Sequence, residues 1–230
     1  MLISFVIEYM NIKSILTMTY LIALILLFSS CKMTENSTNQ FQKINNKEKT
    51  MLSKTDTAVF GAGCFWCVET IFERLKGVES VESGYSGGTV ENPSYDDVCS
   101  GKTGHAEVAR ITFNPDIISY EELLEVFWTT HDPTTLNQQG ADIGTQYRSA
   151  IFFLNEDQKN TAVKSKEETA PQIWSNKIVT EITPLDKFYP AENYHQDYYN
   201  QNSEKSYCKF VINPKLDKFR KKFKDKLKDE

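Results

Sequence analysis

The apolar positions change rhythm several times along the chain, and each change marks an element. Ala58-Val59-Phe60 is a short buried run that enters Gly61-Ala62-Gly63, which predicts a strand ending in a turn. Val68, Ile71, Phe72 and Leu75 then share one face at helical spacing, predicting a helix that begins at Cys64 and stops at Gly77. Val78 to Tyr85 alternates in part, as a strand does. His105 to Phe113 alternates throughout, with Glu107, Ala109 and Ile111 on one side and Ala106, Val108 and Arg110 on the other. Ser119 and Glu122 form a capping-box pair ahead of a helix whose buried face is Leu123, Leu124, Phe127 and Trp128. Pro133 to Thr145 is a long polar loop, the type of segment that carries function.

The second half continues the alternation. Ser149 to Leu154 predicts a strand, Glu156 to about Thr169 a charged helix, Lys177 to Ile182 another strand, and Phe210-Val211-Ile212 a strand-like run. Leu216, Phe219, Phe223 and Leu227 make a thin stripe in a mostly basic tail. It predicts a terminal helix packed on the domain; contact with anionic lipid is the other reading. Alternating strands and helices with no internal repeat imply one α/β (α+β) layered domain over residues 55–230.

The N-terminus follows a different logic. Tyr20 to Phe28 (YLIALILLF) is an unbroken apolar run, too short to span a bilayer and flanked by Lys13, so residues 1–30 read as a signal peptide. The run ends in Ser29-Ser30-Cys31, which resembles a bacterial lipoprotein box with Cys31 as the lipidated residue. An ordinary secretory signal or an uncleaved anchor is the alternative. Met10 opens a more typical leader (MNIKSILT) than Met1, which Glu8 follows before any basic residue. Residues 31–54 are polar, rich in Asn, Lys and Thr, and without apolar period, which predicts a flexible tether. The expectation is a domain held just outside a bacterial cell membrane by a lipid anchor.

Composition narrows the chemistry. In 230 residues, 40% are hydrophobic and the formal net charge is -5, so a sizeable core is available and nucleic acid is excluded as the main partner. Five cysteines, Cys31, Cys64, Cys67, Cys99 and Cys208, do not form a purely structural disulfide framework. One CxxC and three scattered histidines (His105, His131, His195) do not make a structural zinc site.

Within GAGCFWCVE, Cys64 stands at a predicted helix N-terminus, where free N–H groups and the helix dipole favour a thiolate. Phe65 and Trp66 lie beside it and can wall an apolar pocket. Cys67, one turn on, is within disulfide reach. A thioredoxin-like dithiol also places CxxC between strand and helix, but its spacer is small and polar rather than Phe-Trp.

GCFWCVE (63–69) resembles the active-site signature of methionine sulfoxide reductase A, the peptide-methionine (S)-S-oxide reductase family. Asn92-Pro93-Ser94-Tyr95 running to Val98-Cys99, GKTGHAEV (101–108) and DIGTQYRS (142–149) resemble the same family in the same order. The resemblance implies a two-layer sandwich around a mixed sheet. It implies Cys64 as the nucleophile on the sulfoxide sulfur, Glu107 as the proton donor to its oxygen, Tyr95 and Tyr147 as phenols bonded to that oxygen, and Asp142 as an ordering residue. Phe65 and Trp66 become the pocket for the S-methyl group.

Cys64 would pass through a sulfenic acid to an intramolecular disulfide. Cys208, in a segment that can swing over the site, is placed ahead of Cys67 as first resolver, with a relay through both left open. Cys99 reads as structural, in a loop-to-strand stretch, and His195 as a rim or packing residue. The implied substrates are oxidised proteins and free methionine S-sulfoxide. The implied electron donor is a thioredoxin-like reductant, with no metal or organic cofactor, and the working expectation is a monomer. Two other classes stay open: a general thiol–disulfide oxidoreductase, which needs Cys67 but not Glu107, and a non-enzymatic surface lipoprotein, which needs no thiol.

Overall fold

A computed structural model describes residues 54–229. The expected leader, Cys31, and all of the expected tether but Lys54 lie outside the described residues.

Strand β1 (Asp56–Ala62) is followed by helix α1 (Phe65–Phe72), strand β2 (Val78–Ser86), helix α2 (Tyr95–Cys99), strand β3 (Ala106–Phe113) and helix α3 (Tyr120–Thr130). Two short strands, β4 (Gln138–Gln139) and β5 (Asp142–Ile143), form a small hairpin inside the polar loop. Strand β6 (Ser149–Phe153), helix α4 (Glu156–Glu168), helix α5 (Ala170–Ile173), strands β7 (Glu181–Pro184) and β8 (Phe188–Pro190) and helix α6 (Tyr198–Asn202) follow. A π-helical turn over Cys208–Ile212 then runs into helix α7 (Asn213–Lys222).

Six strands make one sheet in the order β7-β6-β1-β3-β2-β8. Only β6 and β7 run parallel, so the sheet is mixed, as expected. The alternation predicted on β3 sets its two faces. Ala109, Ile111 and Phe113 join Ala58, Phe60 and Ile151 under the helices, where Val68, Ile71, Phe72, Leu123, Leu124, Phe127, Trp128, Leu216 and Phe219 complete the main core. Each fully buried Phe or Leu there stabilises by about 1.5–3 kcal/mol. Val59, Val108 and Phe152 face the other way, into a smaller cluster covered by Leu185 and Phe188.

The Ser119 capping box forms as read: Ser119 Oγ accepts the Glu122 N–H, and the Glu122 carboxylate accepts that of Ser119. The charged helix α4 buries little apolar surface and is fixed by hydrogen bonds instead. Gln158 Nε2 donates to the Thr57 carbonyl (2.7 Å) and Trp128 Nε1 donates to Ser165 Oγ (2.8 Å). The basic tail stripe packs as predicted, with Leu216, Phe219 and Phe223 in the main core. Beyond α7 the chain returns to the end of α1. Lys76 N–H donates to the Lys226 carbonyl and Lys228 N–H to that of Arg74, both at 2.8 Å.

Three expectations need correction. The strand expected over Lys177–Ile182 begins only at Glu181, because Val179 bonds to the Pro133 carbonyl and Thr180 to Ser149 Oγ, outside the sheet. Phe210-Val211-Ile212 is not a strand. It lies in the π-helical turn, where Lys209 N–H donates to the Lys205 carbonyl and Phe210 points to solvent at 79% exposure. Cys99 ends helix α2, which the Ser94–Asp97 capping box starts, rather than leading into a strand.

Candidate active site

Gly63 sets the approach to the first thiol. Its φ is +90°, and a Cβ there would fall 2.6 Å from the Gln139 side chain, so the turn from β1 into α1 requires glycine. Cys64 is the N-cap residue of α1 and is 6% exposed. The first helical N–H, on Phe65, is taken by Glu107 Oε2 at 3.0 Å. The expected low thiol pKa is therefore not what the resting site provides. Burial pushes the Cys64 thiol well above its ordinary range, and its hydrogen bond to Cys67 and the nearby Glu107 add to this. Cys67 moves the other way, to about 7, because the Cys64 thiol donates to it and the Lys215 ammonium lies 3.8 Å from its sulfur. Of the two sulfurs, Cys67 is the one whose surroundings favour the thiolate.

Glu107 projects from β3 on the helix side of the sheet and is 1% exposed. Burial pushes its carboxyl up to about 8 despite the Phe65 N–H, and Asp142 and Cys67 push in the same direction. A carboxyl in that range is mostly protonated at neutral pH.

The phenols come from separate segments. Tyr95 opens α2, and Tyr147 ends a 3-10 turn over Thr145–Tyr147. Both pack on the cluster that holds Cys64, Phe65 and Cys67. Burial raises both hydroxyls, so they remain proton-bearing donors, and both feel the charge of Glu107. Asp142, on β5, accepts a 2.7 Å hydrogen bond from the Tyr207 hydroxyl. The structure thus brings Cys64, Cys67, Glu107, Tyr95, Tyr147 and Asp142 to one place.

Phe65 is buried and forms the floor of the cluster, with rings of Trp66, Tyr85, Tyr95 and His195 within 5.1–6.4 Å of its own. Trp66 is half-buried and stacks on Tyr198 at 3.7 Å and 8°. His195, 2% exposed, is packed between Phe65, Trp66 and Tyr95, which places it in the wall rather than on an exposed rim. Cys208 is fully buried in the same cluster, and burial raises its thiol, with Cys67 as a charged neighbour. Cys99 is half-buried beside Tyr95.

Two site residues escaped the sequence reading. Tyr207 contacts both sulfurs and holds Asp142; its only sequence signal was its place directly before Cys208. Glu192 accepts from the Tyr95 N–H and from the Tyr85 hydroxyl, both at 2.9 Å, and so fixes α2 against β2. A lone glutamate in a loop gives no signal of that kind.

The geometry has close counterparts. A family model described as peptide methionine sulfoxide reductase matches residues 56–227. The peptide methionine sulfoxide reductase MsrA of Saccharolobus solfataricus is 53% identical over 173 residues, covering 75% of this chain and 97% of that protein. That of Deinococcus radiodurans is 48% identical over 194 residues, covering 84% and 94%. Among solved structures, reduced Mxr1 from Saccharomyces cerevisiae superposes with a TM-score of 0.63 at 38% identity, covering 68% of this chain and 91% of that one. Methionine sulfoxide reductase A of Corynebacterium diphtheriae gives 0.62 at 36% identity, covering 64% and 75%. With the family model spanning the domain and relatives near half identity over nearly their full lengths, the chain belongs to the peptide methionine sulfoxide reductase family.

Proposed function

We propose that the domain reduces the S epimer of methionine sulfoxide, in proteins and free, with Cys64 as nucleophile and Glu107 as acid. The observation that carries this reading is the buried Glu107 carboxyl, pushed up to about 8 by burial and fixed on the Phe65 N–H at 3.0 Å at the start of the helix that bears Cys64. A sulfoxide is a poor electrophile until its oxygen takes a proton or strong hydrogen bonds. Glu107 supplies the proton, and the Tyr95 and Tyr147 hydroxyls supply the bonds. As Cys64 attacks the sulfur, its own proton passes to Cys67, the sulfur it already bonds. Methionine leaves, and Cys64 keeps the oxygen as sulfenic acid. Phe65 and Trp66 enclose the methyl group of the substrate, and the apolar wall excludes water from the reacting sulfur.

A second thiol then closes a disulfide and releases water. Cys67, in contact with Cys64, is placed to resolve first, and Cys208, expected ahead of it, can follow through its proximity to Cys67. A dithiol protein of thioredoxin type returns the pair to thiols by exchange. We read the Tyr20–Phe28 run and Cys31 as a lipoprotein leader that holds this chemistry at the outer side of a membrane.

The test is single-turnover methionine formation from the separate S and R sulfoxides, with wild type and Cys64→Ser. Methionine from the S epimer alone, abolished in the variant, supports the reading. Disulfide exchange without methionine from either epimer overturns it.

A further inference from the structure

Helix α7 brings a cation to the second thiol of the CFWC stretch. Lys215, near its start, is half-buried, and its ammonium lies 3.8 Å from Cys67 Sγ across 148 residues of sequence. The groups that act most strongly on Cys67 are Cys64 from its own helix, Tyr207 from the segment before the π-helical turn, Asp142 from β5 and Lys215 from α7. Glu107 from β3 and Cys208 also feel its charge. Lys215 is the one cation in that set; the others are thiols, a phenol and carboxyls. Lys215 also lines a cavity of about 390 Å³ with Thr130, His131 and Gln139. An ammonium this close to a buried sulfur acts strongly on charge carried there.

We propose that Lys215 is a catalytic residue of the resolving step, its ammonium holding Cys67 as the thiolate that attacks the Cys64 sulfenic acid. The proposal rests on the sulfoxide reductase reading above and adds a residue to it. In the step, Cys67 gives its proton to solvent and its sulfur forms a bond to Cys64 Sγ. The Cys64 S–O bond breaks, and the departing hydroxide takes up one proton from solvent and leaves as water. Cys64 is reduced and Cys67 oxidised, each ending as one half of the disulfide. The ammonium remains unchanged and is available for the reverse demand, when a reductant opens the disulfide and Cys67 leaves as a thiolate.

The test uses the full chain with Cys208→Ser, so that Cys67 alone can resolve, and compares it with added Lys215→Met or Lys215→Arg. Each protein is mixed with excess methionine S-sulfoxide without reductant. The methionine burst reports oxygen transfer, and dimedone trapping reports surviving sulfenic acid. The expected result is a burst of full amplitude in Lys215→Met, one methionine per protein, but resolution slowed about tenfold at pH 7, since a thiolate at that pH depends on a stabilising charge. Resolution should recover as pH rises toward 9, and Lys215→Arg should restore most of it at pH 7. Wild-type resolution in Lys215→Met at pH 7 overturns the proposal. So does a slow phase that neither pH nor arginine rescues, which marks a structural role. A normal burst with persistent sulfenic acid in the Cys208→Ser parent shows that Cys67 does not resolve; the proposal then falls while the reductase reading stands. No methionine from the parent removes both.

Discussion

Glu107 Oε2 accepts the backbone N–H of Phe65 at 3.0 Å, a bond that spans 42 residues and ties the middle of the sheet to the first turn of the nucleophile's helix. One carboxyl thus occupies the helix N-terminus and faces Cys64. The amide bond orients it, and burial keeps its proton on near neutral pH.

Replacing Glu107 by Gln retains the acceptor for Phe65 N–H and removes the transferable proton. Activity should fall by about 10²–10⁴-fold, the usual range for a lost general acid. In the wild type, oxygen protonation should decline above about pH 8 as the carboxyl ionises. Initial rates of methionine formation from pH 6 to 10 check this, and the variant should lack that alkaline limb.

The same carboxyl makes stability pH-dependent. A buried glutamate raised from 4.5 to about 8 binds its proton more tightly folded than unfolded, so folded stability falls as pH rises through that window. The loss is on the order of 3–5 kcal/mol for Glu107, at about 1.4 kcal/mol per unit. Glu69, raised to about 7 by burial, adds to the same trend. Urea midpoints of wild type and Glu107→Gln should converge near pH 5, and the variant should be the more stable at pH 9.

Tyr207→Phe removes the hydroxyl that bonds Asp142 at 2.7 Å and contacts both sulfurs. Loss of a hydrogen bond to a carboxylate should lower stability by about 1.5–3 kcal/mol. Disulfide closure between Cys64 and Cys67 should also slow, because the phenol hydrogen bond that favours the Cys67 thiolate is lost. Chemical denaturation and thiol counting after one turnover measure the two effects.

Phe219, 1% exposed on α7, anchors that helix in the main core. Phe219→Ala should cost about 3–5 kcal/mol, as large truncations of buried aromatics do. A thermal melt reads this directly.

Much of this site was legible because it depends on short-range patterns. The period-2 alternation of 105–113 grouped Glu107 with Ala109 and Ile111 on one side of the strand, and that side faces the helices in the structure. The glycine turn and helical spacing put Cys64 at the start of α1. The electrostatics were not legible. The dipole argument treated Cys64 as though its helix end were open, whereas Glu107 fills it and burial dominates. Lys215 and Tyr207 reach the thiols across long sequence separations, and no local pattern encodes that meeting. Phe210–Ile212 has strand-like composition, but its main-chain partners lie in the preceding turn and its aromatic ring has no sheet to join. Helix α2 is short and polar, so only the Ser94–Asp97 cap announces it.

The return of α7 and residues 226–228 onto the end of α1 also bears on the order of assembly. Cys64 and Cys67 lie within one helical turn of each other, whereas Lys215 reaches Cys67 across 148 residues and the Arg74–Lys228 main-chain bond likewise joins distant segments. Contacts of such long loop closure form late. Until they do, the reactive pair lacks its cation and its cover, and an oxidant met during folding finds two adjacent thiols whose product is the pair's own local disulfide. The CFWC spacing thereby favours, in early oxidation, the local Cys64–Cys67 bond over one to the distant Cys208.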